Sequence, residues 1–275
     1  MKRFLMTAAA AAAMLIGSAA HAGPFILAGT DADDHGSFAS GANQDGWFFM
    51  QRALENLAPG VTTGNKKVTI LGSTSSSLTA ASSAFNNSSL VALGWTLEVI
   101  STANFATFFG NANNDLGSGI LMMDSGANIG GGVAGSSFVP YATQIDEFLE
   151  AGGALFSQAN GYQWLSTLLP GLTVTSSQNT GLTLTAAGSS AFPGLTNADL
   201  SAGPWHNYFN NVGALPVLAR STNLVGGVNR DVIIGSSSGS ITNPGDPNGV
   251  PEPGSLALVG LALGGAVLLR RRKTA

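Results

Sequence analysis

Cysteine is absent from all 275 positions. That excludes a cysteine nucleophile, thiolate zinc sites, iron–sulfur clusters and any disulfide framework. Charge is also scarce, with Asp, Glu, Lys and Arg making up 9% of the chain. Most of the basic residues sit at the two ends: Lys2 and Arg3 at one, Arg270, Arg271, Arg272 and Lys273 at the other. Between residues 23 and 249 only Arg52, Lys66, Lys67, Arg220 and Arg230 remain, against fourteen acids, a net charge of about −9. No basic stripe for nucleic acid can be drawn across such a surface. An acidic exterior rich in Asn, Ser, Thr and Gly suits a soluble extracellular protein and attracts cations.

What is present is most explicit at the ends. Lys2 and Arg3 precede an alanine-rich apolar stretch over residues 4–16, and Ala20-His21-Ala22 forms a small-x-small cleavage box. This is the pattern of a secretory signal peptide over residues 1–22, with signal peptidase as its partner. At the other end Val250-Pro251-Glu252-Pro253-Gly254 leads into a charge-free apolar run over 255–269. At about 15 residues the run is slightly short of the ~20 that a helix needs to cross a bilayer core. Gly260, Gly264 and Gly265 allow close helix packing. The four cations that follow hold their end in the cytoplasm and leave the preceding domain outside. Read from the residues alone, the run is a C-terminal hydrophobic helix and serves equally as a permanent anchor.

Pro251-Glu252-Pro253, the apolar run and the cluster Arg270-Arg271-Arg272-Lys273 together resemble the PEP-CTERM sorting signal, over residues 250–275. The resemblance implies that an exosortase, a membrane cysteine protease, recognises the tail and cleaves near Pro-Glu-Pro. It also implies a Gram-negative host that makes exopolysaccharide, in a biofilm or floc. The expected path is export, transient inner-membrane anchoring by the C-terminal helix, then the cell surface or the extracellular matrix.

Residues 23–235 read as one α/β domain, and the Ser/Gly/Pro/Asn-rich stretch 236–249 as a flexible linker. Short apolar runs at 24–28, 67–71, 96–100, 119–123, 154–157, 216–219 and 231–234 read as strands buried on both faces, as in a parallel sheet covered by helices. Helical spacing appears over 47–57, 138–150 and 161–169, with Pro59-Gly60, Gly152-Gly153 and Pro170 as stops. The stretch 172–185 reads as a small β-hairpin addition. The predicted fold is a flavodoxin-like parallel sheet with helices on both faces.

Asp31-Ala32-Asp33-Asp34-His35 directly follows the first strand, where open α/β sheets bind ligands. Hard oxygen ligands at that density suit Ca²⁺ or Mg²⁺. As an EF-hand loop the segment fails at His35 and Ala42, and its carboxylates serve equally as turn and helix caps. His206, in the aromatic run Trp205–Phe209, joins this group if both loops lie at one end of the sheet. The glycine-rich stretch 126–135 formally fits G-x-G-x-x-G, but lies on the wrong unit for a dinucleotide and reads as a mobile loop. Gly235-Ser236-Ser237-Ser238-Gly239 fits G-x-S-x-G without a following helix, so Ser237 reads as linker.

Residues 150–165 run helix, Gly-Gly turn, short strand, sharp turn and helix. They resemble the nucleophile-elbow region of class I glutamine amidotransferase-like domains, with Gly161-Tyr162-Gln163-Trp164-Leu165 on that family's Gly-x-Gln-x-Leu. The resemblance puts the nucleophile position at Ala159, and the late His-x-Glu pair is missing because His206 is followed by Asn207-Tyr208. A thioester mechanism needs a thiolate and a base. The core therefore reads as non-catalytic, a pseudoenzyme that binds a ligand or Ca²⁺ in the extracellular polysaccharide layer. A secreted hydrolase built on Asp31, Asp33, Asp34, His35 and His206 is the alternative, and a purely structural adhesion or matrix protein the third reading. Neutralising Arg270, Arg271, Arg272 and Lys273 together should impair processing, because the orientation signal is lost. Immunoblots of cell and medium fractions check this, and release at the wild-type rate would overturn it.

Overall fold

Alternation along each strand decides which layer it feeds. On the first strand Ile26 and Ala28 enter one apolar cluster while Phe25 and Leu27 enter another. The same division recurs at Ile120 and Met122 against Leu121 and Met123. A strand apolar on both faces must be covered on both, and helices do so. The computed structural model describes residues 23–110, 116–126 and 130–236. These fall within a unit spanning His21–Pro247. The signal-peptide segment, Ser237 and the sorting tail lie outside the described residues.

The strands are β1 (Phe25–Ala28), β2 (Gly36–Ala39), β3 (Ala42–Gln44), β4 (Lys67–Leu71), β5 (Thr96–Ile100) and β6 (Ile120–Met123). They continue as β7 (Ala154–Gln158), β8 (Thr173–Thr180), β9 (Leu182–Leu184), β10 (Pro204–Asn210), β11 (Val217–Ser221) and β12 (Asp231–Ser236). The three longest helices are α1 (Asp45–Leu57), α2 (Ser75–Asn86) and α3 (Ala142–Glu150). Phe49 and Met50 of α1, with Ala80, Ala81 and Ala84 of α2, pack on the Ile26 face. Ile145 and Phe148 of α3, with Phe105 and Phe138, pack on the Phe25 face.

The main sheet runs β5-β4-β6-β7-β1-β12-β10-β8, with β11 on β12 and β9 on β11. The first five strands are parallel. From β12 onward the pairing is antiparallel. The mixed α/β class stands, and the wholly parallel expectation is corrected. Taken in chain order, the parallel strands lie 3-2-4-5-1, whereas the flavodoxin order is 2-1-3-4-5. β4 to β7 follow that order, while β1 lies beyond β7.

Three local readings are also corrected. β8 and β9 do not form a hairpin: β8 pairs with β10 and β9 with β11. Gly181 alone separates them, too few residues for a two-residue turn, and its φ of +84° lets the chain turn from one partner to the other. The helix expected over 161–169 shrinks to Leu165–Leu168, because Gly161 and Tyr162 both take positive φ. β5 sits at the sheet edge with Val99 exposed, not buried on both faces.

The antiparallel half is joined to β1 along the β1–β12 ladder from Phe25 to Ala28, and Gly29 extends that join to β10. The Gly29 N–H donates to the Val232 carbonyl (2.8 Å), and its own carbonyl accepts from the N–H groups of His206 and Asn207 (2.6 and 3.2 Å). A Cβ on Gly29 would overlap the Asn207 carbonyl oxygen. Gly29→Val should therefore cost about 3 kcal/mol or more of stability through overpacking. Urea unfolding checks this.

Candidate functional site

The carboxyl ends of β1, β4, β6 and β7 gather Asp31, Asp33, Ser73, Asp124 and Gln158, and β10 brings in His206. Because β10 is tied to Gly29, His206 stands beside the loop that follows β1. Its Nε2 lies 2.9 Å from Asp31 Oδ2. His35 Nε2 approaches the same oxygen at 3.4 Å. Asp31 is buried, and its Oδ1 finds no hydrogen-bond partner. His206 belongs to a strand, not to the loop expected from the sequence.

His206 and Asn207 also line an open cleft of about 470 Å³, with Gly126, Ala159, Gly161 and Ser177 among the other walls. Ala159 takes φ +26°, a conformation that disfavours an L residue. Its N–H donates to the Ala28 carbonyl (2.8 Å), and its carbonyl accepts from Ser125 Oγ (3.2 Å). The sharp turn continues through Asn160, whose Nδ2 donates to Ser157 Oγ (2.6 Å) while Oδ1 accepts from the Tyr162 N–H and Trp164 Nε1. Tyr162 Oη donates toward the carbonyls of Ala28 and Ser157, and burial holds its phenol well above the usual range. The turn is strained, and Ala159 presents only a methyl group there.

Deeper in the fold is a second polar group. Gln158 Nε2 donates to Asp33 Oδ1 and to Asp124 Oδ1, 3.2 Å in each case. Ser73 Oγ donates to Asp124 Oδ2 at 2.5 Å. Asp124 and Gln158 are fully buried, and Asp33 and Ser73 nearly so. Burial pushes the Asp124 carboxyl up to about 8, with the nearby Asp33 charge acting in the same direction and the Ser73 and Gln158 hydrogen bonds opposing it.

The five candidate residues therefore separate. Asp31, His35 and His206 meet; Asp33 turns inward to Gln158; Asp34 Oδ1 lies with the Ser76 and Ser77 hydroxyls around the space a Cβ on Gly130 would take. Among the described residues no group of three or more His, Asp or Glu side chains is placed to hold a metal ion. Nor is the glycine-rich stretch a free loop where it is described. The Gly130 carbonyl accepts from the Ser77 N–H and Ser76 Oγ, and the Gly131 carbonyl from the Thr74 N–H, which closes the start of α2. Sequence reasoning missed Ser73, Asp124 and Gln158, although Asp124 directly follows the predicted strand 119–123 and Gln158 the strand 154–157. A carboxylate at the carboxyl end of a buried strand is the signal that could have found Asp124.

Residues 249–273 match the PEP-CTERM protein-sorting motif. The chain therefore carries a sorting signal for exosortase processing and is an exported protein of the cell surface or extracellular space. The match is confined to the tail. Neither curated proteins nor solved structures yield a match, so the likeness of the core to class I glutamine amidotransferase-like domains has no support from a relative. No helix among the described residues is long and apolar enough to cross a membrane, and the run 255–269 lies outside them.

The buried Asp124 sets a pH dependence whose sign follows from its raised value. The folded state keeps its proton up to about pH 8, whereas the unfolded chain releases it near 3.8. The folded state thus binds more protons throughout that window, and stability falls as pH rises through it. In EDTA-containing buffer the wild type should be less stable at pH 8 than at pH 5, by on the order of a few kcal/mol. Asp124→Asn should flatten that slope, as read by urea midpoints across the range.

Proposed function

We propose that this exported protein displays a non-catalytic core that binds a polar ligand of the extracellular polysaccharide layer. The observation that carries the reading is the sorting motif, which directs the chain to the cell surface or extracellular space. The cleft supports it: its walls offer the Ser176, Ser177, Gln178 and Asn207 side chains and two glycines, with His206 as the one ionisable group among the described residues. Amide and hydroxyl groups of this kind exchange hydrogen bonds with a hydroxyl-rich ligand without demanding charge. The nucleophile position is occupied by Ala159, and Ser157 is buried in β7 with its Oγ accepting from Asn160.

A second reading, a hydrolase, is favoured by one contact. Asp31 orients His206 at the cleft wall, as a carboxylate orients a general base. Water would have to serve as the nucleophile. The two readings differ in what His206→Ala removes.

The test uses the host's own exopolysaccharide. The wild type should be retained on the immobilised polymer, and Ser177→Trp, which fills the cleft, should reduce retention at least tenfold. No reducing ends should appear over hours of incubation, and a fluorophosphonate probe should label nothing. Turnover lost in His206→Ala would replace the binding reading with the hydrolase. Equal retention of Ser177→Trp would remove the cleft from the function.

A further inference from the structure

The β2–β3 hairpin is fastened to α2 by one residue and leaves a gap beside it. Phe38 and Asn43 are directly opposite each other in the ladder, so both side chains leave the same face of the hairpin. Asn43 is buried and pins that face to the helix. Its Nδ2 donates to the Ser83 carbonyl (3.1 Å), and its Oδ1 accepts from Ser83 Oγ (2.7 Å). Phe38 projects toward the same helix, yet 51% of its surface stays exposed. The α2 residues that line the same space include Ser75, Thr79 and Ser82, which are too short to cover a phenyl ring. The result is an open groove of about 480 Å³. Phe38 and Trp47 supply its aromatic surface, and Thr79, Ser82 and Asn86 its polar groups. The groove is preformed, because Trp47 Nε1 donates to the Asp33 carbonyl (2.9 Å) and Asn43 also donates to Gln51 Oε1 (3.0 Å).

We propose that this groove binds a neutral pyranose chain and is a sugar site separate from the cleft. A pyranose ring has an apolar C–H face and a rim of hydroxyls. The face covers an aromatic ring and removes apolar surface from water. The rim both donates and accepts hydrogen bonds, as do the Ser, Thr and Asn side chains of α2. Charge selects within the class. No ionisable side chain lines the groove among the described residues, so a uronate or a sulfated or phosphorylated sugar would lose water there without gaining a countercharge. The volume falls within the range of small-ligand sites, about 300–1,000 Å³. The inference takes from the proposed function only the extracellular address. Groove and cleft share no residue, so the two readings fail on different variants.

Cellohexaose, an uncharged β-linked glucan, is the probe, titrated into the full chain and followed by calorimetry and indole fluorescence. Trp47 is half-buried while Trp95, Trp164 and Trp205 are buried, so a saturable change in emission reports on the groove. Phe38→Ala should weaken binding about tenfold, the loss of one aromatic contact, and Phe38→Tyr, which keeps the ring, should bind as the wild type does. Ser82→Leu, which fills the groove from the helix, should weaken binding likewise and decides the matter if Phe38→Ala fails to fold. Ser177→Trp, in the cleft, should leave the calorimetric affinity unchanged. Hexagalacturonate, of the same length but anionic, should bind at least tenfold more weakly. Absence of a saturable response at millimolar cellohexaose overturns the site. So does wild-type affinity in both Phe38→Ala and Ser82→Leu, or an affinity lost in Ser177→Trp, which would place the sugar in the cleft. Equal binding of hexagalacturonate overturns the neutral class. A wild-type dimer that Phe38→Ala converts to monomer would make the exposed ring a contact between copies of this chain instead.

Discussion

The fold and the site both depend on one backbone contact, the seating of β10 against Gly29. Three main-chain hydrogen bonds converge there, one from Gly29 to Val232 and two into its carbonyl from His206 and Asn207. They need a separation that no side chain at position 29 would allow. The β1–β12 ladder over Phe25–Ala28 carries the sheet from its parallel half into its antiparallel half, and the Gly29 contact seats β10 at its end. It also sets His206 beside Asp31. The ladder of β10 is irregular here, between Trp205 and Asn207, and a bulge of this kind re-aims the side chains of the strand.

From that seat the polar groups divide by depth. The outer group, Asp31 with His35 and His206, is in contact with solvent through the two imidazoles and opens onto the cleft. The inner group, Asp33, Asp124, Gln158 and Ser73, is sealed beneath it. A carboxylate in the outer group is stabilised by its histidine partners. In the inner group the two carboxyls share the Gln158 amide, and burial raises the pKa of Asp124. Ala159 stands at the boundary, in a strained turn whose neighbours Asn160 and Tyr162 fasten it from below.

The address and the parallel strands were legible in the sequence because each rests on local order. Pro251-Glu252-Pro253, the run 255–269 and the arginines act in sequence, and the tail matches the sorting motif. Strands β4 and β5 coincide with the apolar runs at 67–71 and 96–100. Helix α2 was not legible, because Ser75–Asn86 reads SSSLTAASSAFN and, apart from Phe85 at its end, its buried face is made of Ser77, Ala80, Ala81 and Ala84. Such a face is visible only when a neighbouring sheet presses on it. The β2–β3 hairpin was missed for a related reason. Its two-residue turn is Ser40-Gly41, with both residues at positive φ, between strands that are largely exposed and carry little apolar alternation.

The sequence by itself therefore determined the export and sorting of this protein, its α/β class, the lack of a thiol nucleophile and the acidic loop after the first strand. Those properties are written in contiguous residues and in composition. Only the tertiary structure decided that the acidic loop splits between two sites, that residues 172–185 serve two different strands, and that Gln158 bridges Asp33 and Asp124 across 125 and 34 positions of chain. Each of these depends on which strand lies beside which. Strand order is set by burial over the whole sheet, and no local run of residues encodes it.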